Sequence, residues 1–365
     1  MHAYIHIPFC HRICPYCSFY KHTPGGTDMK AFIQAILLEA ERRASELPSR
    51  QLKTLYLGGG TPSMLSRTHL ETLFTGLRSH FDLSQLEELT FEANPATFDE
   101  KKARFFVDQG VTRISLGIQS FDDEILQTLG REHSRAEAIE SVKILHAIGM
   151  PEINIDLMFS IPKQSLASWR DTLETAISLK PHHISAYNLT YEEDTDFFEK
   201  FQLGSYQQTD DDNAEMYMLA DELLGKAKFQ HYETSNYAQS GFQSRHNQSY
   251  WAGADYIGLG PSAVSTINGT RWKNLADTAG YIKAIQLNRH AMTEIEELSD
   301  DDQRIERIAL LLRTTEGLPV NYIHDSSSPF IEELLERNYA ELNEHRLVLK
   351  NEGRMLVDPI AEKLI

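Results

Sequence analysis

Apolar and polar positions along this chain alternate between two rhythms, a period near 2 and a period near 3.6. Residues 4–7 read as a short strand. After Asp28, a candidate helix cap, Phe32, Ile33, Ile36, Leu37 and Ala40 fall on one helical face. Residues 54–57 predict a second strand running into Gly58-Gly59-Gly60, and Leu70, Leu73, Phe74 and Leu77 then mark a helix. A third strand is expected over 89–92, with Thr97 and Glu100 spaced as a capping box for the helix after it. Ile114, Leu116 and Ile118 alternate within a fourth strand, 113–118. Ser134 and Glu137 make a further capping box ahead of Ile139, Val142 and Leu145, and Gly149 is placed to end that helix. A fifth strand covers 153–159. A helix over about 168–179 stops before Pro181, and a sixth strand covers 183–189. Parallel strands need helical crossovers, so six strand-then-helix units predict an α/β fold with a parallel sheet. Pattern alone does not decide whether it closes towards a barrel.

The last third reads differently. Asp210, Asp211 and Asp212 open a helix whose positive end they complement. From Ser299 a helix places Ile305, Ile308, Ala309 and Leu312 on one face, and another covers about 330–342. Residues 347–349 and 355–357 are expected to pair around Asn351-Glu352-Gly353. Two helices and a hairpin make a mainly helical, winged-helix-like module. The division expected is 1–230 for the strand–helix units, 231–295 for a connecting region and 296–365 for the module.

Composition narrows the function classes. A hydrophobic content of 41% supplies a packed core, yet no run approaches the roughly 18 apolar residues of a membrane span. The N-terminus lacks a basic region followed by an apolar stretch, so a cytoplasmic location is expected. The formal net charge of −18 argues against nucleic acid as a partner and favours a packing or lid role for the module.

The candidate chemistry begins with cysteine. All three cysteines, Cys10, Cys14 and Cys17, fall within eight positions after the first strand. Soft thiolates in one short loop suggest an iron–sulfur, zinc or copper(I) site. A 4Fe–4S cube bound by three thiolates leaves one iron free for another ligand. Zinc stays open at this point, because His6, His11 or His22 could complete four ligands. So does a cluster of inert thiols. The polar residues add a second signal: Gly58-Gly59-Gly60, Glu92, Gln119 and Asp156 all lie at or just after the C-terminal ends of successive strands. That edge is where parallel α/β folds build their sites.

These residues together resemble a known family. Cys-x3-Cys-x2-Cys after the first strand, followed by Gly58-Gly59-Gly60-Thr61-Pro62 after the second, is similar to radical S-adenosylmethionine (SAM) proteins. Tyr4-Ile5-His6-Ile7-Pro8-Phe9-Cys10, Gly117-Ile118-Gln119-Ser120 and Asn154-Ile155-Asp156-Leu157 resemble the group of oxygen-independent coproporphyrinogen III oxidases and HemW-type heme chaperones. The resemblance spans nearly the whole chain. It implies an incomplete (β/α)6 barrel with its cluster loop at 8–22, a 4Fe–4S cluster on Cys10, Cys14 and Cys17, and SAM on the open iron. It further implies that Gly58, Gly59, Gly60 and Thr61 leave room for the methionine end of SAM. Arg131 would meet the SAM carboxylate and Glu92, Gln119 and Asp156 its ammonium or ribose, with Tyr4 lining the same pocket.

Two features separate oxidase from chaperone. The oxidase pattern carries a fourth cysteine two places beyond the third, where this chain has Phe19. Coproporphyrinogen III decarboxylation is therefore not expected, although the resemblance keeps it as the alternative and leaves SAM turnover open. His246-Asn247-Gln248-Ser249-Tyr250-Trp251 matches the HNxxYW pattern associated with heme binding in the HemW branch. A neutral imidazole such as His246 suits heme iron, and Tyr250 and Trp251 offer flat faces to a porphyrin. Asn247 completes the matched pattern, while Arg245, Arg271 and Lys273 are candidates for the propionates. The resemblance thus implies heme or a related tetrapyrrole as ligand. Its implied partners are a heme-acceptor protein, membrane-associated or not, and an electron donor for the cluster. A homodimer is compatible with it.

Overall fold

The computed structural model describes residues 1–206 and 209–365. Six parallel strands form its centre: β1 (His2–Ile7), β2 (Thr54–Gly59), β3 (Glu88–Ala93), β4 (Arg113–Gln119), β5 (Glu152–Phe159) and β6 (His183–Asn188). They lie side by side in sequence order. No strand order reverses, so all crossovers wind the same way, as in a barrel rather than a doubly wound sheet. β1 and β6 do not pair with each other. The barrel is incomplete, as expected. Between these strands run Met29–Glu46, Arg67–His80, Glu100–Asp108, Arg135–Ala147 and Leu166–Ser178.

Local signals explain the helix starts. Asp28 accepts from the backbone N–H groups of Lys30 and Ala31, and Ser134 forms the expected box with Glu137. The box expected from Thr97 and Glu100 does not form. Asp99 caps that helix through Lys102 N–H. Thr97 is engaged elsewhere: its hydroxyl lies 2.6 Å from both the Ser63 hydroxyl and the Asn94 carbonyl.

Residues 231–295, expected to connect, instead widen the sheet. β7 (Gln230–Glu233) and β8 (Asn236–Ala238) extend it beyond β6. On the other side β9 (Tyr256–Leu259) pairs parallel to β1, followed by β10 (Val264–Ile267), β11 (Thr270–Asn274) and β12 (Met292–Glu297). One apolar core runs beneath all of it, from Ala3 through Leu157 to Ile285.

The C-terminal module has its own core around Ile308, Leu318, Leu334, Leu347 and Leu364. Its hairpin is shifted from the expected position. Ala340–Asn343 pairs with Arg346–Leu349, and Leu318–Pro319 adds a third strand. The second helix accordingly ends early, covering Ser328–Glu336. Residues 351–354 form a single 3₁₀ turn, in which a Cβ on Gly353 would stand 2.0 Å from the Tyr339 carbonyl oxygen. The chain then enters the helix Val357–Leu364 instead of a strand. Among the described residues no helix is long and apolar enough to cross a membrane.

Candidate functional site

The loop after β1 is pinned before it reaches the thiols. Cys10 N–H donates to His22 O at 3.1 Å, and His22 N–H donates to Pro8 O at 2.8 Å. His6 Nε2–H reaches the Tyr20 carbonyl at 2.8 Å, and the His22 ring lies 2.7 Å from the Thr278 hydroxyl. Two of the histidines that could have completed a zinc site therefore hold the loop instead. The loop presents Cys10, Cys14 and Cys17 to one cavity of about 630 Å³ at the C-terminal ends of the strands.

Gly59, Gly60, Thr61, Glu92, Gln119, Arg131 and Asp156 line the same cavity. A hydrogen-bonded arc ties two of the cysteines together. Thr61 Oγ1 lies 3.7 Å from Cys10 Sγ, Asn94 Nδ2 donates to Thr61 at 2.9 Å, and Arg131 Nη2 donates to Asn94 Oδ1 at 2.7 Å. The guanidinium ends the arc 3.7 Å from Cys14 Sγ and also donates to Gly117 O at 2.6 Å. Arg131 thus touches the cluster loop as well as the cavity. Gln119 adopts φ 70° where the β4–β5 register shifts, a left-handed conformation that costs a non-glycine residue energy and turns the strand end.

The glycines serve a purpose the sequence did not disclose. A Cβ on Gly58 would stand 2.7 Å from a Glu92 oxygen, and one on Gly60 would meet the backbone of Ile7 and Phe9 at 2.7–2.9 Å. Gly59 has φ +107°, and its Cβ would strike the His6 ring at 2.5 Å. These residues are small because β1 and Glu92 press against them. Gly58 lies outside the cavity lining, as does Tyr4, whose hydroxyl is 3.0 Å from His6 Nδ1.

Two carboxyl groups face inward. Glu92 accepts from Tyr56 O–H at 2.7 Å and Gly59 N–H at 3.0 Å. Burial nevertheless pushes its pKa up to about 7; those two donors pull it down, and Asp156 adds to the rise. Burial also raises Asp156, which Ser115 and Asn154 hold by hydrogen bonds at 2.9 and 2.7 Å. The Cys10 and Cys17 thiols are likewise pushed up by burial, so loading metal must release protons. Sequence reasoning missed Tyr56, Asn94, Ser115 and Gly117. Asn94 had a usable signal, since it follows Glu92 by two at the same strand end.

The donor set fits a cluster. Among the described residues no three His, Cys, Asp or Glu side chains gather closely enough for one ion. A tetrahedral zinc needs its sulfurs gathered about 2.3 Å from one centre, whereas a cube takes each thiolate on a separate iron.

The HNxxYW residues lie elsewhere. Arg245–Trp251 is a helix laid across the N-terminal ends of β2 and β3. Ser244 caps it, and Glu88, the first residue of β3, accepts from Arg245 N–H at 2.7 Å and His246 N–H at 3.2 Å. His246 is 1% exposed. Its Nδ1 lies 2.7 Å from Thr54 Oγ1, its ring packs 5.0 Å from Tyr56 and 4.8 Å from Tyr250, and Tyr250 meets Tyr256 edge-on. Burial, with His2 adding to it, lowers the His246 pKa to about 3, so the imidazole is neutral. Among the described residues its Nε2 and the Trp251 Nε1 are buried without hydrogen-bond partners. Asn247 is half-buried on the same helix. Arg245 donates to Glu87 O and Arg271 pairs with Glu306 at 2.5 Å, so two of the three candidate propionate anchors are engaged within the protein.

Comparison with known proteins identifies the family. Residues 4–176 match the model of the radical SAM superfamily. The chain is 35% identical over 354 residues to the heme chaperone HemW of Lactococcus lactis, covering 97% of this chain and 92% of that protein. It is 40% identical over 264 residues to the heme chaperone HemW of Escherichia coli, covering 71% and 68%. The solved radical SAM coproporphyrinogen III oxidase of Escherichia coli superposes with a TM-score of 0.85 at 21% identity, over 99% of this chain and 89% of that one. That likeness concerns the fold.

Proposed function

The chain belongs to the radical SAM superfamily and, within it, to the HemW family, and from that premise we propose that it is a heme chaperone that binds heme and delivers it to acceptor proteins. The observation that carries this reading is His246: a neutral imidazole, anchored through Nδ1, with a buried Nε2 that has no partner among the described residues. Heme iron takes such a nitrogen. Because the ring is 1% exposed, heme entry requires the motif helix to move from β2 and β3.

At the opposite end Cys10, Cys14 and Cys17 would hold a 4Fe–4S cluster. Arg131, Glu92, Gln119, Asp156 and the Gly59–Thr61 turn would hold SAM. When bound, the cluster supplies a redox-active iron with one position left for SAM. This chain's residues orient that pair: Arg131 keeps a positive charge beside Cys14, and Glu92 and Asp156 offer oxygen acceptors. Phe19, 67% exposed, stands where the oxidase pattern has cysteine, which favours the chaperone over the decarboxylase. A cytoplasmic setting, an electron donor for the cluster and a homodimer belong to the same proposal.

The test runs two assays on one anaerobically reconstituted preparation. Hemin-loaded protein should pass heme to an apo-heme protein, and the same preparation with SAM and reductant should leave coproporphyrinogen III unchanged. Decarboxylation without specific hemin binding would reverse the reading in favour of the oxidase.

A further inference from the structure

β2 presents Thr54, Tyr56 and Gly58 on one face, because alternate residues of a strand point the same way. Its first residue, Thr54, sits in a single register row between His2 of β1 and Glu88 of β3. All three serve the motif helix. Glu88 receives its N-terminal N–H groups, and the buried Thr54 hydroxyl lies between two imidazoles, 2.7 Å from His246 Nδ1 and 2.9 Å from His2 Nδ1.

A hydroxyl has one proton to give. Thr54 therefore donates to one imidazole and accepts from the other, which couples the two tautomers. If Thr54 donates to His246, the remaining proton of that neutral ring sits on Nε2, a buried N–H with no partner among the described residues. If Thr54 donates to His2, His246 carries its proton on Nδ1 and gives it to Thr54. His2 then carries its own on Nε2, and its side chain is half-buried, with water within reach. Orphaned buried N–H groups are rare, so the second arrangement is favoured. It leaves a lone pair on His246 Nε2.

We propose that Thr54 is a positioning residue for heme ligation, fixing His246 in the Nδ1–H tautomer, and that His2 sets the direction in which Thr54 gives its proton. This rests on the reading of His246 as the heme ligand. Metal-bound histidines generally donate their second N–H to an oxygen acceptor, the place Thr54 Oγ1 takes here, and losing that acceptor costs about tenfold to a hundredfold in affinity.

Hemin titration of the full, reconstituted chain tests it. Thr54→Val keeps the branched shape and removes the hydroxyl. It should weaken hemin binding by about tenfold to a hundredfold and shift the iron–histidine stretching band of the reduced heme. Iron, sulfide and SAM binding should stay at wild-type levels. Thr54→Ser should restore both affinity and band, and His2→Ala should move them in the direction of Thr54→Val by a smaller amount. Wild-type affinity and band in Thr54→Val, beside their loss in His246→Ala, would overturn the inference while leaving the heme ligand in place. Failure of Thr54→Ser to rescue would also overturn it, since shape rather than the hydroxyl would then matter. If Thr54→Val melts early, His2→Ala decides: an unchanged hemin affinity and band there overturn the proposal. Indifference of hemin binding to His246→Ala would move the heme ligand elsewhere and remove this inference while leaving the chaperone reading in place.

Discussion

At their C-terminal ends the barrel strands open onto a cavity of about 630 Å³ lined by thiols, carboxyl groups and a guanidinium. At their N-terminal ends β2 and β3 are covered by a helix whose His246 is 1% exposed and packed among tyrosines. β2 serves both ends, with Thr54 beneath the motif helix and Gly59 in the cavity wall. The open end is built for ligands that enter and leave without disturbing the sheet. The closed end holds a ready donor atom behind packed aromatic rings, so exchange there needs an element to move. A carrier that retains a cargo and releases it on demand suits the second arrangement; a redox cofactor with a small co-substrate suits the first.

The comparison breaks most completely at a cluster ligand. Cys14→Ser should lose most iron and acid-labile sulfide on anaerobic reconstitution, because one iron of the cube loses its ligand. Stoichiometric zinc with negligible sulfide in the wild type would contradict the assignment. A sharper cut is Arg131→Ala. Removing charge-assisted hydrogen bonds typically costs about 1.5–3 kcal/mol, so SAM binding should weaken at least tenfold by calorimetry. Since the guanidinium lies 3.7 Å from Cys14 Sγ, the cluster spectrum should shift too. A SAM affinity equal to wild type would take Arg131 out of the site.

Glu92 tests the open end by pH. Its folded-state pKa, about 7, lies above the ordinary glutamate value, so its contribution is present at low pH and lost as pH rises through about 7. Glu92→Gln does not titrate. Between pH 5 and 8 the wild type should lose about 1–3 kcal/mol of stability relative to that variant, at 1.36 kcal/mol per pKa unit. Parallel denaturation curves at each pH would check it, and a constant difference would mean Glu92 titrates normally. The smallest effect belongs to Phe19. Being 67% exposed, it should yield to serine with a stability change within about 0.5 kcal/mol and no loss of iron.

The two ends were not equally legible in the sequence. The parallel strand–helix units were legible from their two periods, the barrel came only from the family resemblance, and Gly59, Gly60, Glu92, Gln119 and Asp156 reach one cavity because the C-terminal halves of parallel strands share one edge. Asn94 and Tyr56 were missed because their roles are contacts across strands, and a one-dimensional pattern does not show cross-strand partners. The same limit hid a second demand on the glycines, the close approach of His6 and Glu92. In the module, Asn351-Glu352-Gly353 carries turn residues, yet the hairpin formed one segment earlier, where Leu342 faces Leu347 in register. At the closed end, the pattern named His246 but not the residues that bury it. Burial there comes from Thr54, Tyr56 and Glu88, far away in sequence.

The account turns on the claim that heme and cluster occupy opposite ends of one barrel. Hemin titration of wild type, His246→Ala and Cys14→Ser, each with iron and sulfide measured on the same sample, tests it most directly. His246→Ala should lose the ligand-sensitive heme band while keeping its cluster, and Cys14→Ser should lose its cluster while keeping the heme band. A heme band that vanishes with Cys14→Ser and survives His246→Ala would place the heme at the cavity and contradict the account.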